Sequence, residues 1–254
     1  MSESVGRGDE LRIVEVKPLS GLRTCIIGLP DVGLVGLITA NHLVNSLGLD
    51  EAGYLESKLL PPVIVVHNGE PKPPVRFFAQ GGLAILTSEI PIPASVLSLL
   101  ADEVLNWASA KGFELLVSVS GIAVPNRLEI DTPEVYGVAS TEKARRILED
   151  SKIPLLEEGF MVGPHAAILG ESLKRRVDSI ILLAQSHYQY PDPGAAASII
   201  NILNRLLSLN VEVKTLLEQA EEIRLKTREI MQRTYKAMQR MQKMQEQELP
   251  PMYV

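Results

Sequence analysis

The run 22–29 is apolar, with Ile26 and Ile27 at its centre, and it is entered from Gly21 and stopped by Pro30. After Gly33, the residues Leu34, Val35, Leu37, Ile38, Leu43, Val44 and Leu47 recur at helical spacing, and Gly48 supplies a C-terminal stop. A short apolar run between turn residues reads as a buried strand, and an apolar face of period 3.6 reads as a helix packed on it. This strand–turn–helix unit is the strongest constraint in the chain, because a strand buried on both faces needs covering layers on each side.

The rest of the sequence repeats the theme. Strands are expected at 52–56, 62–67, 75–79 and 83–87, separated by Gly and Pro clusters. A helix is expected over 95–110, where Val96, Leu99, Leu100, Val104 and Trp107 share a face, followed by a buried strand at 115–119. Helices at 141–150 and 164–176, a strand at 177–184 and a helix at 195–207 complete the pattern. Alternation of this kind predicts an α/β fold: a mixed, mostly parallel sheet covered by helices, with antiparallel pairing in the hairpin-like cluster 52–88. A chain of 254 residues buries roughly three quarters of its unfolded surface, so the core needs no disulfide or metal. None could form within the chain, since Cys25 is the single cysteine, and its place among isoleucines predicts a buried, inert thiol.

From Glu212 to Glu248 there is neither Gly nor Pro, and Gln, Glu, Lys, Arg and Met dominate. These residues favour helix, and 37 of them in one helix would span roughly 55 Å. Leu216, Ala220, Ile223, Thr227, Ile230, Thr234, Ala237, Met241 and Met244 fall at alternating spacings of four and three, a heptad stripe weakened by Ala and Thr. Such a stripe needs cover, from the chain's own body or from a neighbouring subunit. Pro250 and Pro251 end the helix. The expected organisation is an α/β domain over 1–210, a long helix over 211–249 serving oligomerisation, and an extended tail over 250–254.

Charge excludes one class of partner. Net charge is −6, and of 25 basic and 31 acidic residues, eight and seven lie in 211–249, leaving an acidic body with 17 against 24. A binder of phosphate backbones draws its affinity from clustered basic charge, so nucleic acid is not the expected partner. The first residues hold Glu3, Arg7 and Asp9 with no apolar run behind them, and no stretch approaches the roughly 20 apolar residues of a membrane span. A cytoplasmic protein without membrane contact is expected.

Sites for chemistry are sparse. Gly28-Leu29-Pro30-Asp31-Val32-Gly33-Leu34-Val35-Gly36 lies between strand and helix, where phosphate loops occur. It lacks the Lys and Ser or Thr of a Walker loop and the first glycine pair of a dinucleotide fingerprint, so its glycines read as a tight turn with close helix–strand packing. His42, His67, His165 and His187 show no metal-ligand spacing, and no H-E-x-x-H, C-x-x-C or G-x-S-x-G occurs. Asp192, in Tyr190-Pro191-Asp192-Pro193-Gly194, reads as a helix cap. No catalytic residue, metal or cofactor is expected. An enzyme acting on a nucleoside or phosphate ligand stands as the alternative, with Asp31, Asn126 and His187 as candidate polar groups.

Two segments carry a family resemblance. The nine residues from Gly28 to Gly36 with the helix bearing Ala40 and Leu43, and Tyr190-Pro191-Asp192-Pro193-Gly194-Ala195-Ala196 with the helix to Leu207, together resemble the proteasome-assembly-chaperone family over roughly residues 10–245. That resemblance implies a nucleoside-phosphorylase-like α/β domain that acts as an assembly factor or activator of proteasomes. Met252-Tyr253-Val254 resembles the hydrophobic–tyrosine–any-residue terminus by which activators engage the proteasome α-ring. These three residues are therefore the expected site, and the α-subunits of the core particle the expected partner. The carboxylate can pair with a lysine, Tyr253 offers apolar area and a hydroxyl, Met252 a compliant contact, and the prolines keep the segment extended. A three-residue contact is weak, so several tails on one homo-oligomer are expected to act together.

Overall fold

The computed structural model describes residues 11–188 and 190–221. Ten strands and five helices of at least nine residues follow one another as β1 (Leu11–Glu15), β2 (Thr24–Gly28), α1 (Val35–Leu47), β3 (Asp50–Ser57), β4 (Val65–His67), β5 (Glu70–Lys72), β6 (Val75–Gln80), β7 (Leu83–Ser88), α2 (Leu97–Lys111), β8 (Leu115–Ala123), β9 (Val135–Ala139), α3 (Glu142–Asp150), α4 (Pro164–Arg175), β10 (Ser179–Ser186) and α5 (Pro193–Leu207). Eight strands form one sheet in the order β1-β3-β6-β7-β2-β8-β10-β9. Its centre, β7-β2-β8-β10, is parallel, while β3, β6, β1 and β9 are joined by antiparallel pairing. Two antiparallel steps turn β3 back to the direction of β7, so five of the eight strands point the same way. The expected mixed, mostly parallel α/β sheet is what forms.

Alternation along β2 divides the core. Ile26 faces a layer of α1, α3 and α5 with Val35, Leu43, Leu148 and Ile199, whereas Cys25 and Ile27 face α2 and α4 with Leu100, Val104, Trp107 and Ile168. Trp107 stacks obliquely between Phe77 and Phe113, at centroid distances of 4.9 and 5.0 Å, and its indole N–H donates to Glu15 at 3.0 Å. The buried aromatic thus brings its polar edge to a partner on an edge strand. Thr141 caps α3 through Ala144 N–H at 3.0 Å, as its place before Glu142 predicts.

Four elements, β5 among them, differ from expectation. β1 and β9 are not among the expected strands, although both hold β-favouring residues: β1 is a five-residue edge carrying Arg12 and Glu15, and β9 has Gly137 at its centre. A Cβ on Gly137 would lie 2.7 Å from the Leu148 methyls, so a residue that weakens strand patterns is here the one that lets α3 close on the sheet. The strand expected over 62–67 shrinks to β4, which pairs with β5 outside the main sheet through Asn68 and Gly69, both at positive φ. A helical segment over 214–221 follows α5, and Val211 and Leu216 belong to the same core as α5. No helix among the described residues is long and apolar enough to cross a membrane.

Candidate functional site

The turn after β2 is built by close approach. A Cβ on Gly28 would meet the Gly36 carbonyl oxygen at 2.3 Å, and one on Gly36 would meet the Val119 oxygen at 2.5 Å. Gly33 has φ +61°, and its missing Cβ leaves room for Ser186 at the end of β10. The glycines therefore seat α1 against β2 and β8, as the tight-turn reading holds. Asp31 accepts from Ser120 Oγ at 2.9 Å.

That contact spans the point where the sheet changes direction. After β2 the chain proceeds through α1 to β3 on one side, and after β8 it proceeds to β9 and β10 on the other. Parallel strands that diverge in this way leave a crevice beyond their carboxyl ends. Here it is a cleft of about 170 Å³, with Asp31, Ser120 and His165 as its polar groups and Ile122, Ile181, Leu183 and Met161 among its apolar walls. His165, in the first turn of α4, is 1% exposed, and neither ring nitrogen has a hydrogen-bond partner. Burial holds its pKa below the ordinary 6.5, outweighing the charge of Asp31 and the backbone at Leu29, which lies close without making a well-formed hydrogen bond.

A second polar cluster braces the start of α5. Arg127 donates from Nε to Asp192 Oδ2 at 2.7 Å and from Nη2 to Oδ1 at 2.9 Å, and Nη1 donates to the Ile130 carbonyl at 2.7 Å. Asp192 also accepts from Ala195 N–H at 2.9 Å, the predicted cap, and from His187 N–H at 3.1 Å. Burial lowers the pKa of His187, the Arg127 charge acting with it and the Asp192 charge against it. Asp192 N–H donates to the Gly33 carbonyl at 2.9 Å, tying this cluster to the glycine turn.

The three polar candidates do not meet in one site. Asp31 belongs to the cleft, His187 to the Arg127–Asp192 cluster, and exposed Asn126 contributes its carbonyl to a 3-10 turn. Sequence reasoning passed over Arg127 and His165. Arg127 sits 65 residues from its partner with no local signal, and His165 stands in the sequence with no metal-ligand spacing to mark it. Met252, Tyr253 and Val254, the predicted docking residues, lie outside the described residues, as does the heptad stripe beyond Ala220. The stripe's first two positions face the body: Leu216 is buried and Ala220 half-buried. The segment leading there is anchored, with Asn204 Nδ2 donating to the Val211 carbonyl at 2.8 Å, Val211 N–H donating back at 3.1 Å, and His42 Nε2 2.7 Å from the Glu212 carbonyl oxygen.

Comparison with known proteins returns a consistent picture. The model of the PAC2 family matches residues 25–231. An uncharacterized protein of Methanocaldococcus jannaschii is 29% identical over 238 residues, covering 92% of this chain and 97% of its own. The crystal structure of Pyrococcus furiosus PbaA, an archaeal homolog of proteasome-assembly chaperone, superposes with a TM-score of 0.79 at 31% identity, covering 94% of this chain and all (100%) of that one. Pyrococcus furiosus PbaB, an archaeal proteasome activator, shares the fold with a TM-score of 0.76 at 22% identity, over 88% of this chain and 100% of that one.

Proposed function

The chain belongs to the PAC2 family, and from that premise we propose that it serves as a proteasome assembly chaperone or activator, docking on the α-ring of the core particle through Met252, Tyr253 and Val254. The reading is supported by one conjunction: a chain similar over 94% of its length to an archaeal homolog of proteasome-assembly chaperone, carrying Met252-Tyr253-Val254. Such a tail offers a charge-assisted bond from the carboxylate, worth about 1.5–3 kcal/mol, together with the apolar area of Tyr253. One such contact is weak, and a homo-oligomer that presents several tails to the ring gains affinity by effective concentration. The body supplies the platform and the 211–249 segment the reach.

The test is peptide hydrolysis and co-sedimentation with proteasome core particles, using the intact protein and Tyr253→Ala. The intact protein is expected to co-sediment and change hydrolysis, and the variant to lose both. Equal behaviour of the two would end the proposal.

A further inference from the structure

The tail-docking proposal makes no use of the cleft between the carboxyl ends of β2 and β8, which has the makings of a ligand site of its own. Its volume, about 170 Å³, is some ten times the roughly 10–15 Å³ that one water needs on the same measure. A buried polar side chain without a partner is rare in a folded protein, because its desolvation goes uncompensated. His165 is such a group: neither ring nitrogen makes a well-formed hydrogen bond, though the Leu29 backbone lies close, and the residue borders the cleft from a buried position.

The hydrogen-bonding pattern selects the chemistry. Asp31 can only accept; its Oδ2 already takes Ser120 Oγ, and Oδ1 is left for another donor. A neutral imidazole donates from one nitrogen and accepts at the other. A ligand edge carrying an N–H beside a C=O answers both groups at once, with N–H to Asp31 and C=O from the His165 N–H. Anions meet the Asp31 carboxylate, and a cation has nothing to offer the His165 donor. Around these groups the walls are apolar: Ile122, Ile181, Leu183 and Met161, with Phe160 fully exposed at the rim. We propose that the cleft of Asp31, Ser120 and His165 binds a small neutral molecule through an amide edge, its apolar body lying against Ile181 and Leu183 under Phe160.

The experiment follows the histidine ring signals of the full-length protein by NMR during titration with benzamide and with 2-pyridone; His165→Gln identifies the relevant resonances. Both amides are expected to shift the His165 signals saturably. Asp31→Asn is expected to weaken binding at least about tenfold, as loss of one hydrogen bond to a charged acceptor implies. Phe160→Ala alters only an exposed side chain, so it preserves the fold and is expected to weaken binding to a smaller extent. Benzoate and benzyl alcohol, which match benzamide in shape without its amide, should leave the signals in place. N-acetylglutamine methylamide separates the sources of the group: binding by the ring amides supports a free small molecule, and binding by the glutamine amide alone would overturn it in favour of a partner's side-chain amide. Unmoved His165 signals with every amide, equal shifts with benzoate, or undiminished binding by Asp31→Asn would overturn the proposal.

Discussion

Arg127 and Asp192 are joined by two nearly parallel hydrogen bonds of 2.7 and 2.9 Å, both side chains being more than nine-tenths buried. The same carboxylate caps α5 and takes the His187 N–H, so one side chain holds three segments.

Breaking that pair leaves a buried charge alone. Arg127→Met and Asp192→Ala should each lower stability by about 3–5 kcal/mol, read from urea unfolding midpoints. Asp192→Asn keeps an oxygen for Ala195 and should cost less than Asp192→Ala, the difference being the helix cap at about 1 kcal/mol.

Two glycines should respond to alanine with opposite signs. On Gly36 a Cβ would press on the backbone oxygens of Val119 at 2.5 Å and Leu29 at 2.7 Å, neither of which can swing aside. Gly36→Ala should therefore cost about 1–3 kcal/mol or more. Gly170, within α4, meets nothing within 4 Å, so Gly170→Ala should raise stability by about 0.5–1 kcal/mol. Thermal unfolding of the pair checks both directions.

How far the sequence discloses this site depends on the range of the interaction. Gly28, Gly33 and Gly36 announce a turn, and Asp192 announces a cap, because a turn and a cap form with residues a few positions away; the room that Gly36 leaves for Val119 and Gly33 for Ser186 is not legible in the same way. Arg127 says nothing of the kind, since its meaning comes from a residue 65 positions away. His165 is silent for another reason: what matters is the lack of a partner inside a buried space, and no spacing rule encodes a lack. The same division runs through the fold. β2 and α1 are plain in the apolar pattern, while β9 hides behind Gly137, whose purpose is visible only once Leu148 has closed over it.

His165 also sets an acid limb. Burial keeps its folded pKa below the ordinary 6.5, so the unfolded chain takes up a proton that the folded chain refuses. Its effect on stability is nil above that value and grows as the pH falls below it, by at most about 1.4 kcal/mol per pH unit. His187 shifts the same way. Urea melts between about pH 7 and about pH 5 should decline less steeply in His165→Gln than in the wild type.

Cys25 should act as a reporter of unfolding. It is fully buried, and burial pushes its thiol up to about 12. A thiol-specific reagent at mildly alkaline pH should leave the native protein unlabelled, with modification appearing along the same denaturant curve as the loss of secondary structure. Labelling that runs ahead of that curve would point to local opening of β2.

Tail docking makes a chemical demand that a peptide can answer. A peptide ending in Met-Tyr-Val should compete with the protein for core particles at high concentration. The same peptide with its carboxylate amidated should compete roughly tenfold to a hundredfold less well, since the charge-assisted bond is lost. Equal competition by the two would remove the carboxylate from the interface.

The order of strands has a consequence for how the molecule is made. β2 is the second strand translated, yet its neighbours in the sheet are β7 and β8, whose first residues are Leu83 and Leu115. While the ribosome is still supplying the residues between, Cys25, Ile26 and Ile27 have no ladder to join. The central parallel strands close only when β10, starting at Ser179, has emerged. Nascent chains that stall before Leu83 expose β2 with both flanks open, and those that stall before Ser179 leave β8 with one edge unpaired, so faithful production of this protein rests on unbroken translation through β10, or on a holdase that shields the earlier strands.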